Sequence, residues 1–349
     1  MPASNMTSNT TSSCSQWILL PDLISHCSFP LRRNPHHVLA SAESKLWLLA
    51  QCGLNEEKRK TFRGLKGGLL AAIGYPLAGY DQLRVCCDWI NLLFHLDDIC
   101  DEMGDEEAID TAAEIIGVLC ETQPTSIVGR LTQSFWSRVS STASPGAQRR
   151  FIEGLELFFS AVVQQAKHRQ SNDIPDLESY IAMRRDTSGC KTCFALIEYA
   201  NDLDIPDCVF ENAVVRGMEE AANDIITWSN DIYSYNVEQA NGDTHNMVAV
   251  IRARESLSLQ QAIDYVGTLC VQCVDRFQAL QQLLPSWGPE IDVPLRAYID
   301  GLGDWMIGSL VWSFETERYF GHAAPKVRAT LAVPILPARK EVGPTEATA

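Results

Sequence analysis

Apolar residues recur at intervals of three and four along most of the chain, from about residue 38 to about residue 321. That spacing collects them on one face of an α-helix, so it predicts a succession of amphipathic helices. Proline and glycine residues interrupt the pattern and separate the helices from one another. The predicted helices cover residues 38–53, 56–75, 79–103, 105–121, 125–141, 146–169, 176–186, 190–201, 211–240, 244–254, 259–284 and 293–321.

Patterns typical of β structure are nearly absent. The chain shows little strand-like alternation, no internal repeat and no glycine-rich loop after a strand, which excludes Rossmann and P-loop folds. Its composition does not shift along its length, so the sequence predicts one all-α domain. We expect this domain to cover residues 16–325, between an N-terminal tail at 1–15 and a flexible C-terminal tail at 326–349.

The net charge of the chain limits the kinds of molecule that it is expected to bind. The 349 residues carry a formal net charge of −16, which argues against nucleic acid or an anionic membrane surface as the main partner. An anionic substrate would then need metal ions to offset the repulsion. The N-terminus shows no secretory signal, and the richest apolar stretch, 67–79, is broken by Pro76. We therefore predict a cytoplasmic protein without a transmembrane segment, either a monomer or a homodimer.

The twelve cysteines include two Cys-x-x-Cys pairs, Cys190/Cys193 and Cys270/Cys273. A zinc site made from both pairs would have to join residues 77 positions apart, and the pairs lack the glycines typical of zinc knuckles. Both pairs fall within apolar helical patterns. The sequence favours small buried hydrophobic residues over zinc ligands.

The most informative segment contains Asn230, Ser234 and Glu238, which lie four residues apart in the predicted 211–240 helix. A step of four advances about 40° around a helix axis, so the three side chains share one face. An amide oxygen, a hydroxyl and a carboxylate are hard ligands that suit Mg²⁺. Because the set contains one carboxylate, it suits an ion whose shell is completed by water and a substrate phosphate.

A second acidic segment ends the predicted 79–103 helix. Asp97 and Asp101 are four residues apart and share a face. Residues 97–110 hold eight acidic side chains and no lysine or arginine, an arrangement that repels itself unless cations bind. The apolar run before Asp97 favours a buried metal-binding position, although a solvated acidic helix end stays open.

Two further signals supply cations and hydrogen-bond donors. Arg184 and Arg185 end a predicted helix just before Gly189, and guanidinium groups there could bind a diphosphate. Arg318 and Tyr319 stand at the end of the last long predicted helix. Each pair taken alone is equally compatible with a surface or capping role.

Taken together, the four signals resemble class I terpene cyclases, and most closely the fungal, basidiomycete-type sesquiterpene synthases. The Asp-rich motif, the Asn-Asp-x-x-Ser-x-x-x-Glu motif, the upstream arginine and the terminal Arg-Tyr pair occur in that family's order. The resemblance spans about residues 18–322. It implies an all-α class I terpenoid synthase bundle with a central active-site cavity. The implied activity is that of a lyase that ionises and cyclises farnesyl diphosphate with Mg²⁺ and releases diphosphate.

The resemblance also implies metal roles. Asp97 would bridge two Mg²⁺ ions, and the Asn230, Ser234 and Glu238 trio would hold a third when diphosphate is bound. Asp98 and Asp101 could instead contact basic residues when the site closes, so their roles stay open.

The same resemblance implies roles for residues that contact the diphosphate. Arg184 matches the arginine that senses it, and Thr187 and Ser188 occupy the positions that relay its movement to the carbon chain. Arg318 and Tyr319 would donate hydrogen bonds to the diphosphate in the closed site.

Ionisation of an allylic diphosphate leaves a carbocation, which needs an apolar pocket with aromatic faces and no water. Phe94, one turn before Asp97, and Trp312 are candidates to line that pocket. Core packing is the favoured interpretation for Phe314.

Other functions would require motifs that differ from those of this chain. A chain-elongating isoprenyl diphosphate synthase would carry a second Asp-rich motif where this chain has the Asn230, Ser234 and Glu238 trio. A class II cyclase would need an Asp-x-Asp-Asp motif, which the sequence lacks. An all-α nucleotide pyrophosphatase would favour clustered glutamates, and a helical scaffold would show repeats. Val237 departs from the lysine common in relatives, which places more of the diphosphate neutralisation on the arginines. The identity of the product stays open.

Overall fold

The computed structural model describes residues 16–100, 103–171 and 174–338, and this part of the chain is almost entirely helical. The all-α prediction is confirmed. The helices and the two short strands are, in chain order, β1 (Trp17–Leu19), α1 (Leu23–His26), α2 (His37–Gln51), α3 (Glu56–Leu65), α4 (Gly67–Gly74), α5 (Tyr80–Cys100), α6 (Asp105–Leu119), α7 (Ile127–Ser140), α8 (Pro145–Ser171), α9 (Leu177–Thr187), α10 (Cys190–Ala200), α11 (Asp207–Phe210), α12 (Ala213–Asn241), α13 (Met247–Glu255), α14 (Leu259–Gln281), α15 (Pro289–Glu315), a 3₁₀ turn (Gly321–Ala323), α16 (Ala324–Thr330) and β2 (Ala332–Pro334).

The long helices α5, α12 and α15 form the centre of the bundle. Helix α12 packs against α14 on one side and α15 on the other, while α5 packs against α2, α4 and α10. Most residues of α12 and α15 are buried, as expected for helices that have neighbours on several sides. Residues of α4, α5, α8, α9, α10, α12 and α15 line one cavity near the middle of the bundle.

The helix predicted over 56–75 is divided in the structure into α3 and α4. Lys66 adopts a left-handed conformation with φ of 55°, which ends α3 and begins α4. Gly67 and Gly68 follow it and lie so close to neighbouring side chains that a Cβ atom on Gly68 would come within 2.5 Å of the Ser41 Cβ. The continuous apolar pattern did not reveal this break, because the residues of α4 are buried all round.

The last long helix ends earlier than predicted. Helix α15 stops at Glu315, and Thr316 takes an extended conformation with ψ of 154°. The Thr316 hydroxyl oxygen lies 2.9 Å from the carbonyl oxygen of Leu65, to which it donates. Arg318 and Tyr319 therefore lie in the loop after the helix rather than within it.

The predicted C-terminal tail begins too early. Its first residues form α16 and β2, and β2 pairs antiparallel with β1, with Ile18 opposite Val333. A boundary at residue 325 would cut through α16, which packs on α15. The predicted tail positions 1–15 and 339–349 lie outside the described residues, so their conformation stays a prediction.

Ser258 and Gln261 form a capping box at the start of α14. The cysteines of both Cys-x-x-Cys pairs are free and buried, and no group of three or more His, Cys, Asp or Glu side chains suited to a metal occurs in the described residues. Within the same part of the chain, no helix combines the length and apolar character needed to cross a bilayer.

Candidate active site

The structure brings the predicted site residues to the wall of the one cavity between α5, α9, α12, α15 and the loop after α15. Its mouth is polar and its interior is largely apolar. The predicted residues that line it are Phe94, Asp97, Arg184, Thr187, Ser188, Asn230, Ser234, Glu238, Trp312, Arg318 and Tyr319. Residues that are far apart in sequence therefore meet in one place.

Asn230, Ser234 and Glu238 line the cavity from successive turns of α12. The Ser234 hydroxyl is buried and makes no hydrogen bond of standard geometry, but it lies close enough to the Glu238 carboxylate to counter part of the rise in that group's pKa. Asn246 Nδ2 donates to Glu238 Oε2 over 2.8 Å and holds that carboxylate in place. Burial and then the nearby charge of Asp231 raise the pKa of Glu238 to about 7. A cation in front of this face would relieve the cost of keeping Glu238 ionised.

Arg184 is held in place before any ligand arrives. Its Nε donates to Asp231 Oδ1 over 3.0 Å and its Nη2 to Asn230 Oδ1 over 2.9 Å. Burial alone would lower the pKa of Arg184, but the charge and hydrogen bond of Asp231, together with Tyr180 and Glu238, outweigh burial and the pKa is raised. Tyr180 donates its hydroxyl to Asp231 Oδ2 over 2.6 Å, so the carboxylate is anchored from two sides.

The break between α9 and α10 carries Thr187 and Ser188 on the cavity wall. Gly189 has a φ of 68°, and a Cβ there would lie 2.8 Å from a methyl carbon of Leu93, so both conformation and space call for glycine. Asn223 of α12 donates through Nδ2 to the carbonyl of Arg185 over 2.8 Å, and the Ser188 hydroxyl donates to Asn223 Oδ1 over 3.1 Å. The break is thus tied to α12.

The second arginine of the pair points elsewhere. Arg185 forms two hydrogen bonds with Asp224, through Nε and Nη2, each of 2.7 Å. It lies outside the lining of the central cavity. A diphosphate in this cavity would therefore be contacted by Arg184 and not by Arg185.

On the side of the cavity formed by the end of α5 and the loop after α15, the contacts of Arg318 are longer. Arg318 Nη2 lies 3.5 Å from Asp97 Oδ2, and Arg318 Nη1 lies 3.4 Å from Asp98 Oδ1. The carboxylate side chains of Asp97 and Asp98 are 43% and 54% exposed. Asp97 lines the cavity, whereas Asp98 contacts only its rim through Arg318. Asp101 lies outside the described residues.

Tyr319 connects the two walls. Its hydroxyl oxygen accepts a hydrogen bond of 2.7 Å from Asn230 Nδ2, which leaves the hydroxyl hydrogen available to a ligand. Burial raises the pKa of Tyr319 to about 12, so the hydroxyl keeps its proton at neutral pH.

Aromatic rings lie directly below the charged mouth. The rings of Phe94 and Trp312 are 5.6 Å apart, and the guanidinium carbon of Arg318 lies 5.4 Å from the Phe94 ring centre. Both rings line the cavity, as predicted. Phe314 instead packs against Tyr233 and Phe320, which agrees with its expected core role.

Sequence reasoning missed three residues that hold the site together. Asp231 was visible only as the second letter of the Asn-Asp motif, with no signal that its side chain turns back towards α9. Tyr180 gave no signal at all. Asn246 is the N-cap of α13, and a helix start soon after the motif was the only indication of it.

The donors present suit a hard divalent cation. On the cavity wall, an oxygen atom suited to such an ion is offered by each of Asn230, Ser234, Glu238 and Asp97. Arg184 already compensates Asp231, so the remaining carboxylates at the mouth leave it acidic. An anionic ligand therefore requires added cations here.

Residues 88–276 match the sequence model described as terpene synthase family 2, C-terminal metal binding. They include the Asp-rich segment, Arg184 and the α12 trio. The chain belongs to the terpene synthases. Among its relatives, sesquiterpene synthase 1 of Postia placenta is 56% identical over 92% of this chain and 96% of that protein. Sesquiterpene synthase Agr1 of Cyclocybe aegerita is 51% identical over 93% and 94%.

A third relative, the alpha-muurolene synthase of Coprinopsis cinerea, is 44% identical over 96% of this chain and 81% of that protein. Solved terpene synthase structures share the fold. Germacradien-4-ol synthase from Streptomyces citricolor superposes with a TM-score of 0.73 at 24% identity, covering 82% of this chain and 96% of that one. A hedycaryol synthase gives 0.74 at 24% identity, covering 84% and 98%. The predicted family and terpenoid synthase fold are confirmed.

Proposed function

We propose that this terpene synthase is a sesquiterpene synthase that ionises and cyclises farnesyl diphosphate to a cyclic sesquiterpene with release of diphosphate. The observation that carries the proposal is a single cavity with oxygen ligands and arginines at its mouth and aromatic rings beneath them. Relatives named sesquiterpene synthases at 51–56% identity over most of the chain support it. The enzyme is accordingly a lyase that acts on a prenyl diphosphate.

The metal of this family is proposed to be Mg²⁺. Asp97 would hold ions at one wall, and Asn230, Ser234 and Glu238 would hold one at the other, three in all with bound diphosphate. When bound, the ions neutralise the charge that develops on the diphosphate as its bond to carbon breaks.

The chain's own donors act beside the metal. Arg184 uses two of its N–H groups on Asp231 and Asn230, and its remaining donors can reach a diphosphate at the cavity mouth. Arg318 and Tyr319 supply donors from the opposite side. Because Asn230 Oδ1 accepts a hydrogen bond from Arg184, this contact must break when the Asn230 oxygen turns to a cation. The arginine then moves onto the diphosphate, whose developing charge it stabilises.

The interior protects the other product of ionisation. Phe94 and Trp312 present ring faces, which attract a cation through their quadrupoles. Closure of Arg318 over Phe94 would exclude water from the cation beneath it. Thr187 and Ser188, on the break tied to Arg184, are proposed to pass its movement to the wall around the carbon chain.

Chain elongation is the alternative activity, and it is not favoured. Asn230 and Ser234 stand where a second Asp-rich motif would be needed to hold the metal ions of an elongating enzyme. Adding isopentenyl diphosphate to the reaction tests the point directly. Longer prenyl diphosphates would show elongation, whereas an unchanged set of cyclic products supports cyclisation.

The decisive experiment is incubation of the purified chain with Mg²⁺ and farnesyl diphosphate, with products separated by gas chromatography. We expect cyclic sesquiterpenes and stoichiometric diphosphate. Asn230→Ala and Asp97→Ala should each lose turnover while circular dichroism shows the same helical content. Asn241→Ala, on the exposed end of α12, and Asp110→Ala, on the exposed face of α6, are matched controls. Full activity in both site variants would overturn the metal assignment.

The predicted cytoplasmic location and the monomer or homodimer state remain predictions. Val237, which stands where relatives commonly carry a lysine, is not among the residues that line the cavity. We propose that Arg184 and Arg318 carry the corresponding charge.

A further inference from the structure

Two serines interrupt the apolar wall that α15 presents to the cavity. Trp305, Ser309, Trp312 and Ser313 all line it, at the spacing of one helix face. Ser309 is 8% and Ser313 is 4% exposed, so these residues are nearly sealed from bulk solvent. A polar oxygen in such a wall faces whatever fills the cavity.

The hydroxyl hydrogen of each serine already takes part in a hydrogen bond within α15. Ser309 donates to the carbonyl oxygen of Met306 over 3.1 Å, and Ser313 donates to that of Ser309 over 2.8 Å. A hydroxyl has one hydrogen and two lone pairs, so each oxygen can act only as an acceptor towards the cavity. The two oxygens therefore present negative potential, and do so without any rearrangement during the reaction.

The two oxygens lie at different depths. Helix α15 ends next to Arg318 and Tyr319, so residues earlier in the helix lie farther from the diphosphate end of the cavity. Four residues of helix advance about 6 Å. Ser313, next to Trp312, is therefore near the point of ionisation, and Ser309 is about one turn deeper, towards Trp305.

We propose that Ser309 and Ser313 are specificity-determining residues, whose oxygens set the depth at which the positive charge of the carbocation is best stabilised. The proposal rests on the proposed function, because it concerns the cation that cyclisation produces. An aromatic face attracts a cation over the area of a ring, whereas a hydroxyl oxygen is a compact dipole with a defined position. Ser313 favours charge on the carbons near the diphosphate end, and Ser309 favours charge on carbons farther along the chain.

The test compares product ratios in Ser309→Ala, Ser309→Cys and Ser313→Ala variants of the full chain. Alanine removes the oxygen, while cysteine restores a heavy atom at the same place with a much weaker acceptor. We expect both Ser309 variants to change the ratio of the main to the next product in the same direction, by about fivefold. That ratio corresponds to about 1 kcal/mol between competing barriers. Ser313→Ala should shift the ratios in a different direction, because it removes stabilisation at the other depth.

Ser137→Ala is the matched control. Ser137 donates to the Ser134 carbonyl over 3.2 Å from an exposed position on α7, which is the same local bond far from the cavity. Its product profile should equal that of the parent protein. Diphosphate release from farnesyl diphosphate is measured in parallel, since its absence in the parent protein would refute the proposed function rather than this inference.

Two results would overturn the inference. Product ratios that stay within twofold of the parent in both alanine variants would show that the oxygens do not influence the cation. A parental profile in Ser309→Cys together with an altered one in Ser309→Ala would show that the volume of the side chain matters and its acceptor does not.

Discussion

The cavity mouth has two walls: the α12 wall, which consists of α12 and the end of α9 with Arg184, and the α5 wall, which consists of the end of α5 and the loop after α15 with Arg318. They hold their arginines in different ways. On the α12 wall, Arg184 contacts Asp231 and Asn230 at 2.9–3.0 Å, and Asp231 is only 3% exposed. On the α5 wall, Arg318 reaches Asp97 and Asp98 at 3.4–3.5 Å, and those carboxylates are about half exposed. Short, buried contacts indicate a wall assembled during folding, and long, exposed contacts indicate one that ligand binding must complete. We infer that substrate capture closes the α5 wall onto an α12 wall whose backbone is already in place, where only the Asn230 and Arg184 side chains rearrange.

The largest difference should appear in stability. Asp231→Ala leaves Arg184 charged and buried without its carboxylate, which we expect to lower the free energy of unfolding by about 3–5 kcal/mol. Denaturation in urea followed by circular dichroism measures the change. Arg318→Ala is the comparison and should cost less than about 1 kcal/mol, because its partners are exposed. Equal losses in the two variants would contradict the distinction between the walls.

Arg318→Ala should show the reverse pattern in catalysis. Removing a donor that acts on the developing diphosphate charge should lower kcat by about 10²–10³-fold. Steady-state diphosphate release with farnesyl diphosphate measures it. Arg318→Lys should recover only part of the loss, because an ammonium group cannot form the paired contacts of a guanidinium. A kcat within a few-fold of the parent protein in Arg318→Ala would remove this residue from the closed site.

The smallest effect on kcat/KM is expected for Asp98→Asn, and its neighbour Asp97 provides the contrast. Asp98→Asn removes one exposed contact to Arg318 and should change kcat/KM by no more than about threefold, in line with the weak energies of exposed ion pairs. Asp97→Asn removes a proposed metal ligand and should lose most activity. The pair of kcat/KM values, measured at saturating Mg²⁺, therefore assigns the metal-binding carboxylate. Similar losses in both variants would give Asp98 a metal role as well.

Much of the fold could be read from the sequence because helix periodicity survives in amphipathic segments. Prediction of helix ends failed where burial is uniform, as in α4. It also failed where one tertiary contact ends a helix, as Thr316 does by donating to the Leu65 carbonyl. The tail boundary at residue 325 was wrong because a three-residue strand leaves no alternation to detect.

The site residues, like the helices, could be predicted only where the sequence carries a local pattern. Residues in spaced motifs, such as Asn230 and Ser234, could be predicted because the chemistry of a ligand set appears in their side chains and spacing. Tyr180 and Asn246 could not, because what matters in them is the partner that they reach across the bundle, at Asp231 and Glu238. The break at Gly189 was visible, but its attachment to Asn223 needed the three-dimensional structure.

Hydrogen–deuterium exchange of the full chain, with and without Mg²⁺ and inorganic diphosphate, tests the central distinction most directly. We predict that ligand slows exchange mainly in residues 94–100 of α5 and in the loop 316–320. Residues 226–238 of α12 should exchange slowly in both states, because that wall is already formed. Protection gained mainly in α12, with little change in α5 and the loop, would contradict the account.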